Sequence, residues 1–268
     1  MITEVTQGRD DDSATATATV LVSWCGDRAE ITINRPPANA LDDRTLDDLR
    51  LALAGLGRGR LGGLLLTGGG ARFFSAGGDI KELENIGHGR GTGRVDRFNA
   101  AMAELSSLEV PVAIAANGIA VGGGTELLLN CDRAVGVRGA RFGLPEINHG
   151  LLPSAASIGL AVRRLGFVPA REMLLSGEIF DAERALEIGL VQELVDSAED
   201  ARESARAWLD AMAAKPPVLV AAMKRALERA PSLDHDGQVE LTREQFTAYF
   251  EDPGAIAARQ AVLGRWSS

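Results

Sequence analysis

The sequence predicts an α/β fold built on a mostly parallel sheet and followed by a helical C-terminal subdomain. Strand-like and helix-like segments alternate along the chain as far as residue 195, and such alternation is typical of parallel sheets with crossover helices. Two short apolar runs, residues 64–67 and Val112–Ala116, resemble strands that are buried on both faces. Beyond residue 198 the pattern is helical throughout. We therefore assign residues 18–197 to an α/β core and residues 198–268 to a helical subdomain.

The elements of the N-terminal part follow from local composition and spacing. Residues 1–17 are acidic and then rich in alanine and threonine, which predicts a disordered tail. Two β-prone runs, at residues 20–24 and 29–34, predict a hairpin. Leucines at helical spacing predict a helix over residues 42–56. The glycine-rich residues 85–94 predict a mobile loop, and a helix follows it as far as residue 108.

The later elements follow from capping residues and apolar periodicity. Asp181 is placed to cap a helix over residues 182–188, and Gly189 ends that helix before a strand over residues 190–195. The same criteria predict a strand at residues 134–137 and a helix that starts at residues 169–175. They also predict helices at residues 153–165, 199–213, 217–229, 238–250 and 254–263.

The composition excludes several functional classes. With 268 residues, the chain can bury the core of one domain with a small appendage. Its formal net charge of −9 offers no basic surface for nucleic acid or an anionic membrane, and no apolar run approaches the ~20 residues that span a bilayer. The acidic N-terminus is unlike a signal peptide, and two cysteines and three histidines without a metal-ligand spacing indicate a reducing compartment and no metal site. We therefore expect a cytoplasmic enzyme or binding protein that has no nucleic acid, membrane or metal partner.

Residues 112–150 contain the clearest candidates for a functional site. A triple glycine opens a helix there, and two glutamates, Glu126 and Glu146, lie among small or apolar residues instead of on a charged face. Such surroundings shift the pKa of a carboxylic acid, and shifted carboxyl groups are typical of acid–base sites. Each feature alone also has an ordinary structural explanation, since glycines often open helices and a glutamate in a first turn complements the helix dipole.

Four segments occur in an order and spacing that are together specific to one family. They are Asn34-Arg35-Pro36-Pro37-Ala38-Asn39-Ala40-Leu41, Phe74-Ser75-Ala76-Gly77-Gly78-Asp79-Ile80, Gly122-Gly123-Gly124-Thr125-Glu126-Leu127 and Phe142-Gly143-Leu144-Pro145-Glu146. On these residues the chain resembles the crotonase superfamily, which is the enoyl-CoA hydratase/isomerase family. The resemblance implies a spiral of ββα units, a helical C-terminal part that serves as an oligomerisation surface or lid, and a homotrimer or a dimer of trimers.

The resemblance also implies that the substrate is a coenzyme A thioester and that no other cofactor takes part. Reactions of such thioesters pass through an enolate, whose oxygen is stabilised by N–H donors. By the family pattern Ala76 and Gly123 supply two backbone N–H groups, in an oxyanion hole that also includes Gly77, Gly78 and Asp79. Asp79 is better explained as a helix N-cap than as a catalyst.

The remaining site residues are implied in the same way. The adenine of coenzyme A is expected to meet the main chain at Ala38, Asn39 and Ala40. Glu126 and Glu146 match the two acid–base positions of the hydratases, with Glu146 moving the proton at the α-carbon and Glu126 helping to activate water. Two carboxyl groups in an apolar site can share one proton near neutral pH, as this chemistry requires.

The presence of both glutamates favours an enoyl-CoA hydratase, which adds water reversibly across the α,β double bond of an enoyl thioester. An isomerase or decarboxylase of the same fold stays open, because the glutamate at the position of Glu146 suffices for isomerisation in the family. A catalytically silent acyl-CoA-binding subunit also stays open. One departure from the family concerns Ser154 to Ser157, which replace glycines of a turn and can change how water is held.

Several further residues are secondary candidates. His149 is a candidate for the wall of the acyl pocket, although a role in a turn is the simpler explanation, and Tyr249 is a candidate contact for a polar substrate. Arg35, Lys81 and Lys224 are candidate partners of the coenzyme A phosphates. His88 and His235 are expected to lie in solvated loops, and the length of the acyl chain is not specified by the sequence.

Overall fold

Two β-sheets form the centre of the fold in the computed structural model, which describes residues 18–57, 61–84 and 91–266. The strands are β1 (Val20–Cys25), β2 (Arg28–Ile33), β3 (Gly63–Gly68), β4 (Phe73–Ser75), β5 (Val112–Ala116), β6 (Ile119–Val121), β7 (Arg133–Val137), β8 (Arg141–Gly143), β9 (Phe180–Asp181) and β10 (Glu193–Val195). The helices of the first two thirds are α1 (Asp43–Gly55), α2 (Ile80–Glu84), α3 (Gly91–Ser106), α4 (Gly123–Leu129), α5 (Ala155–Leu165), α6 (Phe167–Ser176) and α7 (Ala182–Glu187). The C-terminal helices are α8 (Ala198–Ala213), α9 (Pro217–Arg229), α10 (His235–Phe250) and α11 (Pro253–Trp266). Short 3₁₀ helices cover Glu146–His149 and Ala230–Ser232.

The chain passes repeatedly from one sheet to the other. The larger sheet has the order β1-β2-β3-β5-β7-β10, and the smaller sheet has the order β4-β6-β8-β9. All neighbours are parallel except β1 with β2 and β8 with β9. The successive pairs β3–β4, β5–β6 and β7–β8 each place one strand in each sheet. This arrangement confirms the predicted fold class, a spiral of ββα units with helices at the C-terminal end.

The central strands of the larger sheet, β3 and β5, are buried on both faces because they consist almost entirely of apolar and small residues. Side chains of a strand alternate between faces, so Leu64 and Leu66 of β3 join the main core with the leucines of α1, whereas Leu65 faces α8. On that second face α8 contributes Ala201 and Leu209. Helix α8 thus packs as a layer of the α/β core. The boundary predicted at residue 198 stays a prediction, and helices α9 to α11 fit the predicted helical subdomain better than α8 does.

Most predicted elements are present, and the differences have local causes. The hairpin, the strand at Val112–Ala116 and the helix capped by Asp181 are confirmed. The loop prediction for residues 85–94 is wrong for its last part, because α3 already begins at Gly91. The predicted strand over residues 190–195 is shortened to its last three residues.

Two further predictions concern termini and histidines. His235 is the first residue of α10 and not part of a loop, because Asp234 caps that helix by accepting the N–H of Gly237. The predicted tail, residues 1–17, and His88 lie outside the described residues. Across the part of the chain that the structure describes, none of the helices combines the length and apolar character that crossing a bilayer requires.

Candidate active site

A cavity of about 1120 Å³ lies where α2, α3, α4 and the start of α5 meet. Both predicted catalytic glutamates line this cavity, as do Ala76, Gly78 and Gly123. Strands β4, β6 and β8 are parallel to one another, and the segments that follow them carry these residues to the cavity. The fold therefore brings together residues that are far apart in the sequence.

Glu126 lies in the first turn of α4 and is only 4% exposed. Its Oε2 atom accepts hydrogen bonds from Ser154 Oγ at 2.8 Å and from the backbone N–H of Ser154 at 3.2 Å. Burial raises the pKa of this carboxyl above its ordinary value, while the side chains of Ser157 and Ser154 lower it in part. The hydroxyl and the backbone N–H of Ser154 thus hold one oxygen of the Glu126 carboxylate from the direction of α5.

Glu146 occupies a different environment at the start of the 3₁₀ helix. Its Oε2 atom is buried and has no hydrogen-bond partner within the described residues. Burial raises the pKa of Glu146 to about 7, the hydrogen bond from its own backbone N–H lowers it in part, and the charge of Glu126 raises it further. A carboxyl group with a pKa near neutral pH can both give and take a proton under physiological conditions.

The turn before α4 fits closely against Glu146. Gly122 has φ +55°, a conformation that side chains rarely adopt, and a Cβ atom at this position would lie 2.9 Å from Glu146 Oε1. Thr125 holds the same turn. Its Oγ1 atom lies 2.7 Å from the carbonyl oxygen of Ala120 and 2.9 Å from that of Gly143, so its single proton is donated to one of the two, and it accepts the N–H of Gly143 at 3.2 Å. The absence of a side chain at Gly122 therefore makes room for the second carboxylate.

The structure corrects one of the two predicted oxyanion donors. The backbone N–H of Ala76 donates to the carbonyl of Ala38 at 2.9 Å, so it is already occupied. The N–H groups of Gly78 and Gly123 have no acceptor among the described residues, and both glycines line the cavity. The pair that is free to bind an oxyanion is therefore Gly78 with Gly123, and Ala76 contributes to the wall.

Gly77 and Asp79 organise the turn between these donors. Gly77 has φ +78°, and a Cβ atom there would lie 2.7 Å from the carbonyl of Val121 and 2.9 Å from the nitrogen of Gly123. Only glycine allows the two turns to approach so closely. Asp79 accepts from Arg35 at 2.7 Å and from the N–H of Lys81 at 3.0 Å, which agrees with a role in starting α2.

The segment predicted to meet adenine is itself a structural part of the site. Asn39 is 2% exposed, and its side chain donates to the carbonyls of Gly69 and Phe73, both at 2.9 Å. Ser75 Oγ donates to the Asn39 carbonyl at 2.8 Å. Ala38 and Ala40 flank it and are half-buried. A contact of this main chain with coenzyme A stays a prediction.

The comparisons with known proteins agree with this geometry. The model of the protein family described as Enoyl-CoA hydratase/isomerase matches residues 28–259 of this chain. The chain belongs to this family. It is 32% identical to a probable enoyl-CoA hydratase of Bacillus subtilis over 236 residues, which cover 88% of this chain and 92% of that protein. It is also 32% identical to the short-chain-enoyl-CoA hydratase of Clostridium acetobutylicum over 248 residues, which cover 91% of this chain and 94% of that protein.

A solved structure extends the likeness to three dimensions. The structure of Pseudomonas aeruginosa DspI is 34% identical in sequence, superposes with a TM-score of 0.86, and matches 96% of this chain and 98% of that one. As a member of the enoyl-CoA hydratase/isomerase family the chain is an enzyme, and its cavity is the place where the family's chemistry would occur.

Some residues of this enoyl-CoA hydratase/isomerase family member were found only through the structure. Arg94 is 8% exposed and lines the cavity, where it donates to the Leu41 carbonyl at 2.7 Å and pairs with Glu82 at 2.6 Å. Arg94 lies in the segment that the sequence predicts to be a loop. Its helical spacing to Phe98, which also lines the cavity, is the sequence signal that could have identified it. The sequence does not predict that Ser154, at the start of α5, donates to Glu126.

The secondary candidates separate into two groups. His149 lies on the cavity wall at the end of the 3₁₀ helix. Tyr249 does not line this cavity and packs edge-on against Phe246, with ring centroids 5.5 Å apart. Arg35 and Lys224 are both engaged within the chain, Arg35 with Asp42 and Asp79 and Lys224 with Asp132 and the Val110 carbonyl. These pairings make both cations weak candidates for binding phosphate.

Proposed function

We propose that this enzyme hydrates enoyl-CoA thioesters, with Glu126 and Glu146 as the acid–base pair and Gly78 and Gly123 as the oxyanion donors. The observation that carries the proposal is the pair of carboxyl groups on one cavity wall, in environments that differ in hydrogen bonding. Carboxyl groups whose surroundings separate their pKa values divide the roles of acid and base between them.

The oxyanion donors act on the thioester carbonyl. As water adds to the β-carbon, negative charge develops on the carbonyl oxygen, and two N–H groups that are already oriented stabilise it without reorganisation. The free N–H groups of Gly78 and Gly123 support this role. The loss of one such donor typically costs about 10²–10³ in rate in other enzymes.

The carboxyl groups move two protons. Glu126, as a carboxylate, takes a proton from the water whose oxygen bonds to the β-carbon. Glu146, as a carboxylic acid, gives its proton to the α-carbon, and the electron pair of the enolate forms the new C–H bond. The product leaves with Glu126 protonated and Glu146 ionised, and proton exchange with solvent restores the starting state. A pKa of about 7 for Glu146 allows this acid to be populated near neutral pH.

The cavity wall favours an aliphatic acyl group. Apolar side chains form a large part of its lining: Ile80, Val95, Phe98, Leu151, Leu152 and Ile179. Contact with these side chains removes a hydrocarbon chain from water, at about 0.8 kcal/mol for each methylene buried. A charged group at the end of the acyl chain would lose its hydration at the same surface. We therefore propose straight-chain enoyl thioesters longer than crotonyl-CoA as preferred substrates.

The assay follows the loss of the enone absorbance of crotonyl-CoA, of a medium-length straight-chain enoyl-CoA and of an enoyl-CoA with a terminal carboxylate. Hydration is expected with the first two and a higher kcat/KM with the longer one. An absence of turnover with every short, branched, medium and aryl enoyl-CoA would overturn the proposed function, and the isomerase or the silent binding subunit would then be tested.

The assembly and the location are proposed from family membership. The chain is expected to form a homotrimer or a dimer of trimers through its helical C-terminal part, where Phe246 and Phe250 are exposed on α10. Light scattering on the purified protein tests the trimer, and a monomer at working concentration would contradict it. A cytoplasmic location is tested by cell fractionation.

A further inference from the structure

We infer that Ser154 and Ser157 are positioning residues that hold one oxygen of Glu126 and thereby present its other oxygen to the cavity. The inference rests on the proposed function, because it assigns Glu126 the task of orienting and activating water. It goes beyond that function, because it assigns a role to side chains that the acid–base scheme does not use. The contacts at the start of α5 carry the inference.

The contacts form a directed chain of hydrogen bonds. Ser154 Oγ lies 2.8 Å from Glu126 Oε2 and 2.9 Å from Ser157 Oγ, and it accepts the N–H of Ser157 at 3.1 Å. A hydroxyl has one proton to donate, and the carboxylate is the stronger acceptor. Ser154 therefore donates to Glu126, and Ser157 supplies the proton between the two hydroxyls.

This chain satisfies every group that takes part. Ser154 Oγ accepts two hydrogen bonds from Ser157 and donates one, while its backbone N–H gives Glu126 Oε2 a second donor at 3.2 Å. Ser157 is 1% exposed, so its hydroxyl would be unsatisfied without this arrangement. Glu126 Oε2 is thus bound on the side of α5, and the residue itself lines the cavity.

Helix α5 is held firmly enough to act as an anchor. Ser154 is its N-cap. At the other end Arg164 donates to the carbonyls of Leu129, at 2.8 Å, and of Cys131, which terminate α4. The two ends of α5 therefore contact the two ends of the helix that carries Glu126. Movement of the carboxylate relative to Ser154 would require α5 to shift along α4.

The pair also affects protonation, which gives a readout that a purely structural role would not change. The side chains of Ser157 and Ser154 lower the pKa of Glu126 against the effect of burial. The ionisable group facing it is Glu146, on the 3₁₀ helix, and the two carboxyl groups interact electrostatically. Removing the hydroxyls should therefore raise the pKa of Glu126 and move the acid limb of kcat to higher pH.

The test compares Ser154→Gly and Ser157→Ala with the wild type. Glycine keeps the backbone N–H at position 154 and is tolerated as an N-cap, so this variant removes the hydroxyl with little loss of helix stability. Removal of a hydrogen bond to a charged group is expected to lower kcat about 10- to 100-fold. KM should change less than kcat, and Ser154→Thr, which keeps hydroxyl and cap, should restore most of the activity.

The matched control is Ser197→Gly. Ser197 caps α8 by accepting the N–H of Asp200 at 3.1 Å, and it does not line the cavity. This variant should keep the wild-type kcat and pH profile. A loss of kcat equal to that of Ser154→Gly would show that capping alone explains the effect, and would overturn the inference.

A second measurement decides the inference without turnover. The carboxyl carbon of Glu126 is titrated by ¹³C NMR in the wild type, Ser154→Gly and Ser157→Ala, with Glu126→Gln for assignment. A higher pKa in both variants supports the serine pair, and an unchanged pKa overturns it. A wild-type enzyme that hydrates no thioester would overturn the proposed function separately, and the titration would still decide the role of the serines.

Discussion

The two carboxyl groups of the site are held in opposite ways. Glu126 is the more deeply buried, yet it accepts hydrogen bonds from Ser154 on a helix that is fixed at both ends. Glu146 lies on a 3₁₀ turn, with one oxygen buried and without a donor in the described part of the chain. Burial alone would favour the protonated form of both groups, and more strongly that of Glu126.

This difference indicates that the number of hydrogen-bond donors, more than the depth of burial, separates the roles of acid and base. Donors favour the charged form of a carboxyl group, and their absence favours the neutral form. Glu126, which has more donors, is therefore suited to be the base, and Glu146, which has fewer, is suited to be the acid. The following predictions test this contrast.

The largest expected effect comes from removing each carboxyl group in turn. Glu126→Gln and Glu146→Gln should each lower kcat for hydration about 10²–10⁴-fold, the usual contribution of general acid–base catalysis. Only Glu126→Gln should retain isomerisation of a β,γ-enoyl thioester, because that reaction can be carried out by Glu146 alone. Both rates are measured spectrophotometrically. Equal loss of both reactions in both variants would show that the two carboxyl groups act as one unit.

A smaller effect is expected from Gly122→Ala. The new Cβ atom would lie 2.9 Å from Glu146 Oε1, so the carboxyl group must move, whereas Glu126 stays anchored to α5. Because misplacement of a catalytic group by ~1 Å can cost about 10²-fold in rate, we expect kcat to fall about 10- to 100-fold.

Gly139→Ala is the control for backbone strain. Gly139 also has a positive φ, of +79°, but a Cβ atom there would have no neighbour within 4 Å. Both variants should lose stability because a positive φ disfavours a side chain, by about 1–2 kcal/mol for Gly139→Ala, and only Gly122→Ala should lose activity. Denaturant unfolding and steady-state kinetics measure the two effects. Full activity of Gly122→Ala would contradict the close fit at Glu146.

The smallest expected effect is on stability. The pKa of Glu146 in the folded state, about 7, is above its ordinary value of 4.5, so the folded protein binds more protons between these values. Stability from this group is present below the lower value and is lost as the pH rises through the higher one. Glu146→Gln should therefore raise Tm by about 2–4 °C at pH 8 and leave it nearly unchanged at pH 4.5.

The control for this measurement is Glu240→Gln on the exposed surface of α10, where Glu240 pairs with Arg243. It should change Tm little at either pH, because exposed ion pairs contribute little to stability. If Glu146→Gln shifts Tm equally at both pH values, ionisation of Glu146 is not the cause, and the contrast with Glu126 loses its support from stability.

Much of the fold could be predicted from the sequence because it depends on local patterns. The uninterrupted apolar run at Val112–Ala116 can be buried only between two layers, and the helix after Asp181 begins where a cap was expected. The beginning of α3 was missed because glycines at residues 91 and 93 suggest a loop, while packing of the helix against α1 overrides that preference.

The sequence by itself determined the strands and helices, the close glycine turns, and the two glutamates of one cavity. Only the tertiary structure decided which N–H groups are free, because the N–H of Ala76 is occupied by the distant carbonyl of Ala38 and that of Gly78 is not. It also decided the partners of the two carboxyl groups, since Ser154 and Glu126 meet only when α5 packs on α4. Local residue types specify which groups are present, and their distances after folding specify which of them can act.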